Sequence, residues 1–270
     1  MVQDGSGLAV VTGASAGIGR EIARRIARVG RPVLAVARRR ERLEELADEA
    51  RRAGWAEIHP LAEDLTSPGA EARIAERAAS LRGARWLVND AGRMTVGAFA
   101  EQDPEAIRRE LRLDVEALVL LTRALLPQLL AAPGARILNL ASLAGMQPTP
   151  GYAVYGACKA FVISFSEALA EELRGRASVT ALCPGPVVTE IFEAGSPGLS
   201  RRATRHDLDA TQVARAAVRA MERGRAVAIP GVVNRLMAAA VRYAPRGLVR
   251  RGSRKAALRY VGFDPPGVTR

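Results

Sequence analysis

The chain of 270 residues is 49% hydrophobic and 25% charged, which is the composition of an ordinary soluble globular protein, and it is long enough for one large domain. Its two cysteines, Cys158 and Cys183, have no CxxC motif or neighbouring histidine, and no stretch resembles a secretory signal or a membrane span, so we expect a reduced, cytoplasmic protein without a disulfide framework or a zinc site. Of the net charge of +12, residues 223–270 carry eleven basic groups and one acid, so a nearly neutral body precedes a cationic tail.

Short apolar runs alternate with amphipathic runs along the chain. This alternation predicts parallel strands joined by helical crossovers, and the apolar strands indicate helices on both faces of the sheet. The predicted strands are 8–12, 32–37, 56–62, 85–89, 135–141, 178–183 and 226–230. The predicted helices are 18–29, 40–52, 68–82, 104–130, 152–174 and 210–223. We therefore predict an α/β fold with one doubly wound parallel sheet in a single domain, 1–231, which includes a substrate loop at 185–208 and precedes a basic C-terminal extension at 232–270.

The first predicted strand is followed by the glycine-rich sequence TGASAGIG. Gly13, Gly17 and Gly19 fall at the turn from this strand to the next helix. Glycines there permit a tight turn and a close approach of pyrophosphate to the N-terminus of the helix, although glycine also occupies turns for purely structural reasons. The position between strand and helix favours nucleotide binding.

The second strand ends in LAVARRR. An acidic residue at this place would bind the ribose 2′-hydroxyl of NAD, but the chain has Ala37, followed by Arg38, Arg39 and Arg40. Arginine binds phosphate in bidentate fashion, so the sequence favours NADP(H) over NAD(H), with Arg38 as the main phosphate contact and Arg39 as its support.

A tyrosine and a lysine lie one helical turn apart in YGACK. Of the 40 basic residues only two, Lys159 and Lys255, are lysines, so a lysine four residues after Tyr155 suggests a need for its compact ammonium. Such a charge lowers the pKa of a phenol and fits it for proton transfer. Ser142, at the end of the fifth strand, is placed to orient a carbonyl beside Tyr155.

Five motifs of the chain resemble those of the short-chain dehydrogenase/reductase family in order and spacing, over about residues 8–230. They are TGASAGIG, NDAG (residues 89–92), Ser142, YGACK and PGPVVT (residues 184–189). The resemblance implies a Rossmann-type fold and an NAD(P)(H)-dependent oxidoreductase. It implies that Tyr155 is the general acid/base, Lys159 the ribose ligand that lowers its pKa, and Ser142 the group that orients the carbonyl or alcohol. The further cofactor contacts that it implies are Ser15, Ile18, Asp64, Leu65, Asn89, Gly92, Pro184, Val187 and Thr189.

The chain departs from the family pattern at two positions. Asp114 stands where the family usually has an asparagine that completes a catalytic tetrad and positions a water in the proton relay. An acid there adds charge near Lys159, so Asp114 is a tentative catalytic residue. Asp90 replaces a common second asparagine in NDAG, which is a milder change at a turn.

The predicted substrate pocket is largely apolar. Its candidate contacts are Met94, Met146, Tyr152 and Phe192, accompanied by Val96, Leu143 and the loop that ends at Leu208. Apolar residues here favour a lipophilic ketone, aldehyde or alcohol, but the same residues would also serve as core. The C-terminal sequence resembles ketoacyl-reductase-like members of the family, which hints at acyl or steroid-like substrates.

The C-terminal tail combines apolar residues at helical spacing with many arginines. This combination suggests peripheral contact with an anionic membrane, while a lid over the pocket is the alternative. Nucleic-acid binding is not supported, because aromatic residues make up only 4% of the chain and no DNA-binding motif is present. A nucleotide sensor without catalysis would not require Tyr155 and Lys159. The long apolar helices 104–130 and 152–174, together with the resemblance, predict a homodimer or homotetramer.

Overall fold

The structure is a computed structural model that describes residues 7–131, 134–187 and 207–263. Seven parallel strands within these residues form one sheet in the order β3-β2-β1-β4-β5-β6-β7. The strands are β1 Leu8–Thr12, β2 Val33–Ala37, β3 Ile58–Ala62, β4 Ala84–Asn89, β5 Ala135–Leu140, β6 Ala177–Leu182 and β7 Val227–Ala228. The predicted doubly wound parallel sheet is therefore confirmed.

Helices cover both faces of this sheet. Within the described residues the α-helices are α1 Gly17–Arg28, α2 Arg40–Arg52, α3 Ala70–Leu81, α4 Pro104–Leu111, α5 Ala117–Leu130, α6 Ala153–Glu172, α7 Ala210–Glu222, α8 Val232–Tyr243 and α9 Arg246–Val261. Two short 3₁₀ turns, Phe99–Glu101 and Leu143–Met146, and one π-helical turn, Arg112–Glu116, complete the described helical structure.

The alternation of side chains along each strand divides the core into two layers. In β1, Ala9 and Val11 belong to the layer formed with α1, α2 and α7. Leu8 and Val10 belong to the opposite layer, formed with α3 and α5. All residues of β1 are buried, which explains why the strand is apolar except for Thr12 at its end.

The crevice at the carboxyl ends of the strands is set by the strand order. Strand β1 lies between β2 and β4. The connection after β1 leads to β2 on one side of it, whereas the connection after β3 leads back to β4 on the other side. Open parallel sheets bind ligands at such a switch point. The residues that follow β1, β4, β5 and β6 therefore meet at one edge.

The structure corrects three details of the sequence prediction. The helix predicted over 104–130 is interrupted by the π-helical turn Arg112–Glu116. The strand predicted at 226–230 is reduced to Val227–Ala228. The basic C-terminal extension predicted at 232–270 contains two helices, α8 and α9, in its described part.

Among the described residues, one helix, α6, is long and apolar enough to cross a membrane. It packs instead against β6 and the turn Leu143–Met146, and it buries Lys159, Val162 and Ser166. Only 28% of its apolar stretch is buried in this way.

Candidate active site

The glycine-rich turn forms an open cradle at the start of α1. Gly13 has φ +69° and Gly17 φ +56°, a region that favours glycine. A Cβ on Gly19 would stand 2.4 Å from Asp90 Oδ2 and 2.7 Å from the Gly13 carbonyl oxygen. The N-terminus of α1 has no side-chain cap and no acid in its first turn. The backbone N–H of Gly19 donates to the Asp90 carboxylate, so an anion such as pyrophosphate would be bound by the other N–H groups of this first turn.

Thr12 fixes the two sides of the crevice relative to each other. Its hydroxyl accepts hydrogen bonds from the backbone N–H groups of Asp90 (3.0 Å) and Ala91 (3.1 Å) and donates to the Val88 carbonyl (3.3 Å). The carboxyl ends of β1 and β4 are thereby joined. Burial raises the pKa of Asp90, which lies against the glycine turn, to about 7.

Two arginines flank the space beyond β2. Arg39 donates to Ser15 Oγ from Nη2 (3.0 Å) and Nε (3.3 Å), so it reaches the glycine-rich turn. Burial acts to raise the pKa of Asp64, but hydrogen bonds from Thr66 and the nearby charge of Arg38 lower it below its ordinary value. Arg38 is thus near the adenine-side candidate Asp64, whereas Arg39 is the arginine hydrogen-bonded to the turn.

Asn89 lies in a buried polar network beneath the crevice. Its Nδ2 donates to Thr122 Oγ1 (3.0 Å) and Asn139 Oδ1 (2.8 Å), and Asn139 donates to Ser166 Oγ (2.9 Å). These bonds tie β4 and β5 to α5 and α6. Because the side-chain amide group of Asn89 is engaged in this way, a cofactor contact from Asn89 would come from its backbone.

Leu65, another predicted cofactor contact, packs at the edge of the core layer of α3 and α5.

The structure brings Ser142, Tyr155 and Lys159 together. Ser142 caps the turn Leu143–Met146, accepting from Ala144 N (3.1 Å), and lies within hydrogen-bonding reach of Tyr155. Lys159 Nζ is 5.4 Å from the centroid of the Tyr155 ring. A Cβ on Gly145 would stand 2.5 Å from the carbonyl carbon of Lys159, so this glycine, which the sequence analysis missed, permits the turn to touch α6.

Lys159 forms a buried ion pair with Asp114. Its Nζ is 2.9 Å from Asp114 Oδ2 and donates to the Leu140 carbonyl (3.1 Å), while Asp114 Oδ1 accepts from Arg93 N (2.8 Å). Burial is the largest single influence and lowers the pKa of Lys159, but the charges of Asp114, Tyr155 and Asp90 and the hydrogen bond to Asp114 together raise it above its ordinary value, so the ammonium stays protonated. Gly92, in the loop after β4, lets this loop pass close to Asp114, because a Cβ at position 92 would stand 3.0 Å from Asp114 Oδ2.

Tyr155 is partly buried at the base of the crevice, and this burial raises the pKa of its phenol above the ordinary value. Lys159 lowers the pKa, as the sequence analysis predicts, but Asp114 acts in the opposite direction. The charge of the acid at position 114 therefore acts on Tyr155, the predicted proton-transfer group. Glu110, one helical turn before Asp114, is a second buried carboxylate. It accepts a hydrogen bond from Thr95 N (3.1 Å), and the sequence analysis missed it.

A cavity of about 470 Å³ opens above Ser142, Tyr155 and Lys159. Of the predicted substrate contacts, Met94, Tyr152 and Leu143 line it. Met146 is not among the described lining residues; it packs, partly buried, against the core cluster of Leu118 and Val162, and its substrate contact stays a prediction. Val96 is also not part of the cavity lining. Phe192 and Thr189 lie outside the described residues.

The remaining predicted cofactor residues are at the cavity edge. Ile18, Gly92, Pro184 and Val187 contribute to its lining. They lie between the glycine-rich turn and Tyr155, where a nicotinamide ring would lie in a dinucleotide extending from the pyrophosphate cradle. The residues present thus fit a nicotinamide dinucleotide.

Helices α8 and α9 form the roof of this cavity. Its lining includes Met237, Val241, Leu248 and Val249 from these helices. Asn234 helps to place the roof, since it donates to the Pro230 carbonyl (2.7 Å) and a Cβ on Gly185 would stand 2.4 Å from Asn234 Oδ1. In the sequence, the helical spacing of apolar residues in the tail is the pattern that indicates these helices. That pattern is compatible both with a lid over the pocket and with a membrane contact.

A sequence profile described as short chain dehydrogenase matches residues 7–199. The chain belongs to the short-chain dehydrogenase family. This membership makes it an oxidoreductase of the alcohol–carbonyl type that uses a nicotinamide cofactor. The match ends before α8 and α9, which form the roof of the cavity.

Proteins similar to this chain differ in substrate and in bound cofactor. The chain is 37% identical over 190 residues to sulfoacetaldehyde reductase 2 of Chromohalobacter salexigens, covering 68% of this chain and 74% of the relative. It is similar to a short-chain dehydrogenase from Sphingobium yanoikuyae solved in complex with NADPH (30% identity, TM-score 0.76, covering 97% of this chain and 98% of the other). It is also similar to a short-chain dehydrogenase/reductase from Burkholderia phymatum solved with NAD (26%, TM-score 0.80, covering 99% and 100%).

Proposed function

We propose that this short-chain dehydrogenase is an NADP(H)-dependent enzyme that interconverts a lipophilic ketone or aldehyde and its alcohol. The observation that carries the proposal is the roofed apolar cavity of about 470 Å³ with Ser142, Tyr155 and Lys159 at its base. A cavity of this size holds a drug-sized molecule. Ser142, Tyr155 and Lys159 supply polar groups where proton transfer would take place, and Gln147 and Ser253 are further polar residues of the lining.

The cofactor would lie along the crevice from the glycine-rich turn to the cavity. The N–H groups at the start of α1 would bind the pyrophosphate, and Arg38 and Arg39 would hold a 2′-phosphate beyond β2. The absence of an acid at Ala37 supports NADP(H), because no carboxylate there competes with the phosphate. When bound, the nicotinamide cofactor supplies or accepts the hydride.

The protein side chains would manage the proton. In reduction, the phenolic O–H of Tyr155 would donate its proton to the carbonyl oxygen as the carbonyl carbon gains hydride. Ser142 would donate a hydrogen bond to the same oxygen and so fix its position. Lys159, held protonated by Asp114, would stabilise the phenolate that remains. In alcohol oxidation the same steps run in reverse.

The cavity walls favour an apolar substrate over an anionic one. Met94, Val187, Met237, Val241 and Leu248 contribute apolar surface. Lys159 is the cation among the described lining residues, and it is already paired with Asp114. A sulfonated aldehyde, the kind of substrate named for the Chromohalobacter salexigens relative, would find no free cation in the part of the lining that the structure describes. We therefore propose a lipophilic substrate.

The test is steady-state turnover of a panel of ketones, aldehydes and alcohols with NADPH or NADH and their oxidised forms. We expect turnover of large apolar ketones or alcohols at higher kcat/KM than of sulfoacetaldehyde, and a preference for NADP(H). Faster turnover of the sulfonate would refute the substrate class. Cofactor binding without turnover of any substrate in the panel would favour a nucleotide sensor instead.

A further inference from the structure

The solvent-facing side of α8 is apolar. Val232, Leu236 and Tyr243 are 62%, 66% and 81% exposed. Their spacing of four and seven residues places them on one face of the helix. Asn234 and Ala238, which are buried, mark the opposite face. The helix therefore exposes its apolar face to solvent, and no described residue covers these three side chains.

Unpaired cations accompany this face: Arg235 and Arg242 lie beside it on α8 by helical spacing, and further cations follow along the chain on α9. Between Val232 and Val261 the sequence contains no acidic residue. The cations of this stretch with described side chains are Arg235, Arg242, Arg246, Arg250, Arg251, Arg254 and Lys255. Among the described residues, none of them forms a salt bridge, although arginines elsewhere commonly do, as Arg24 does with Glu49. The charge of the two helices is thus left available to an external anionic partner.

We propose that α8 and α9 dock reversibly on an anionic membrane surface. We call Val232, Leu236 and Tyr243, with the cations of the two helices, the docking face. Exposed apolar residues on a helix flanked by basic residues bind at the interface of a bilayer without crossing it. Each basic residue near an anionic leaflet adds to the binding, so several together hold a protein there reversibly.

The charge of the docking face disfavours a second copy of the chain as its partner. A two-fold dimer through this surface would bring the same cationic patch of both protomers together. Like charges in a partly dehydrated contact repel each other, and the docking face has no acidic residue to compensate. An anionic bilayer supplies both the complementary charge and an apolar layer for Leu236 and Tyr243.

The docking face lies on the helices that roof the cavity. The same two helices also carry residues that line the cavity. These lining residues, Met237, Val241 and Leu248, alternate along the chain with residues of the docking face. A membrane-dissolved substrate would therefore reach the cavity close to the bilayer, a consequence that rests on the proposed function. Docking itself does not depend on turnover, so it can be tested separately.

The experiment is co-sedimentation of the full-length protein with vesicles of phosphatidylcholine alone or mixed with phosphatidylglycerol, at low and high salt. The charge variant R251E/K255E is matched by R215E/R219E, an exposed pair with the same spacing on α7. The apolar variant L236S/Y243S is matched by V29S/F99S, whose native side chains are 51% and 65% exposed elsewhere. Unchanged thermal midpoints would show that each variant is folded.

We expect the wild-type protein to bind anionic vesicles at low salt and to dissociate at high salt. R251E/K255E should bind at least ~30-fold more weakly, because two favourable cation terms are lost, while its control changes little. L236S/Y243S should also lose binding, unlike V29S/F99S. Equal binding to both lipids, no binding to either, or equal loss in R215E/R219E would overturn the proposal. A fall in oligomeric mass of L236S/Y243S would overturn it in favour of a contact between copies.

Discussion

Lys159 Nζ lies 2.9 Å from Asp114 Oδ2, and both side chains are buried. The π-helical turn Arg112–Glu116 places the carboxylate beside the lysine of the YGACK motif. The ammonium that acts on Tyr155 is therefore partly neutralised by an acid. The position at which the chain departs from its family consequently affects the charge balance of the proposed proton-transfer site.

Asp114→Asn should shift the pH dependence of alcohol oxidation to lower pH. Asp114 raises the pKa of Tyr155, so removing its charge lets Lys159 lower that pKa further. Oxidation requires the deprotonated phenol, so its rate should rise at lower pH than in the wild type. The pH profile of kcat/KM provides the measurement, with Asp103→Asn, at the exposed start of α4, as the control. An unchanged profile would show that Asp114 has no influence on the proton.

Tyr155→Phe should reduce turnover by ~10²–10⁴-fold and leave NADPH binding nearly intact, because only the phenolic O–H is lost. Tyr152→Phe is the matched control, since the two rings lie 6.4 Å apart and both line the cavity. The control should retain more than about a tenth of wild-type kcat. Stopped-flow turnover and fluorescence titration with NADPH measure the two effects. Retention of more than a tenth of activity in Tyr155→Phe would remove the general-acid role.

Arg39→Ala should raise the KM for NADPH by roughly 10- to 100-fold and leave the KM for NADH almost unchanged, because a hydrogen bond to a charged group contributes ~1.5–3 kcal/mol. Arg38→Ala should have the same direction of effect. Arg40→Ala is the control, since Arg40 lies on the exposed side of α2 near Glu44. The three variants are compared by kcat/KM with both cofactors. A wild-type preference for NADH would contradict the proposed phosphate site.

The sequence predicts those parts of the molecule that depend on local pattern. Alternating apolar runs predict the sheet, and fixed spacings place Gly13 in the turn after β1 and Tyr155 and Lys159 on one helix, because each motif lies within one strand, turn or helix. The hydrogen bond of Arg39 to Ser15 joins residues 24 apart, so its direction depends on the packing of α2 beside α1. The core position of Met146 likewise follows from its contact with distant helices rather than from its spacing.

We expect a homodimer or homotetramer through α5 and α6. Leu120 and Phe161 on these helices are 43% and 41% exposed, and Phe161 stacks on Phe165 with ring centroids 5.9 Å apart. An oligomer would bury this apolar surface. Multi-angle light scattering should give a multiple of 28.7 kDa, reduced in L120S/F161S but not in V29S/F99S. A wild-type mass of one chain at micromolar concentration would exclude the assembly.

Glu110→Gln should remove a pH-dependent loss of stability. Burial raises the pKa of Glu110 to about 7, from an ordinary value of 4.5, with the Asp114 charge adding to the rise and Thr95 and Arg93 opposing it. The folded protein therefore keeps this proton in a window where the unfolded chain has released it. Its stability falls as the pH rises from about 4.5 to 7, by on the order of 2 kcal/mol.

The glutamine variant cannot ionise, so its thermal midpoint should gain on that of the wild type between pH 5 and pH 8, by several degrees. Differential scanning calorimetry across this range measures the difference between the two proteins, and contributions from Asp90 cancel because both carry it. Glu105→Gln, on the exposed face of the same helix, should follow the wild type at every pH. If the difference between the thermal midpoints of Glu110→Gln and the wild type does not change with pH, the prediction is wrong. Glu110 is then ionised in the folded protein and has a partner for its charge.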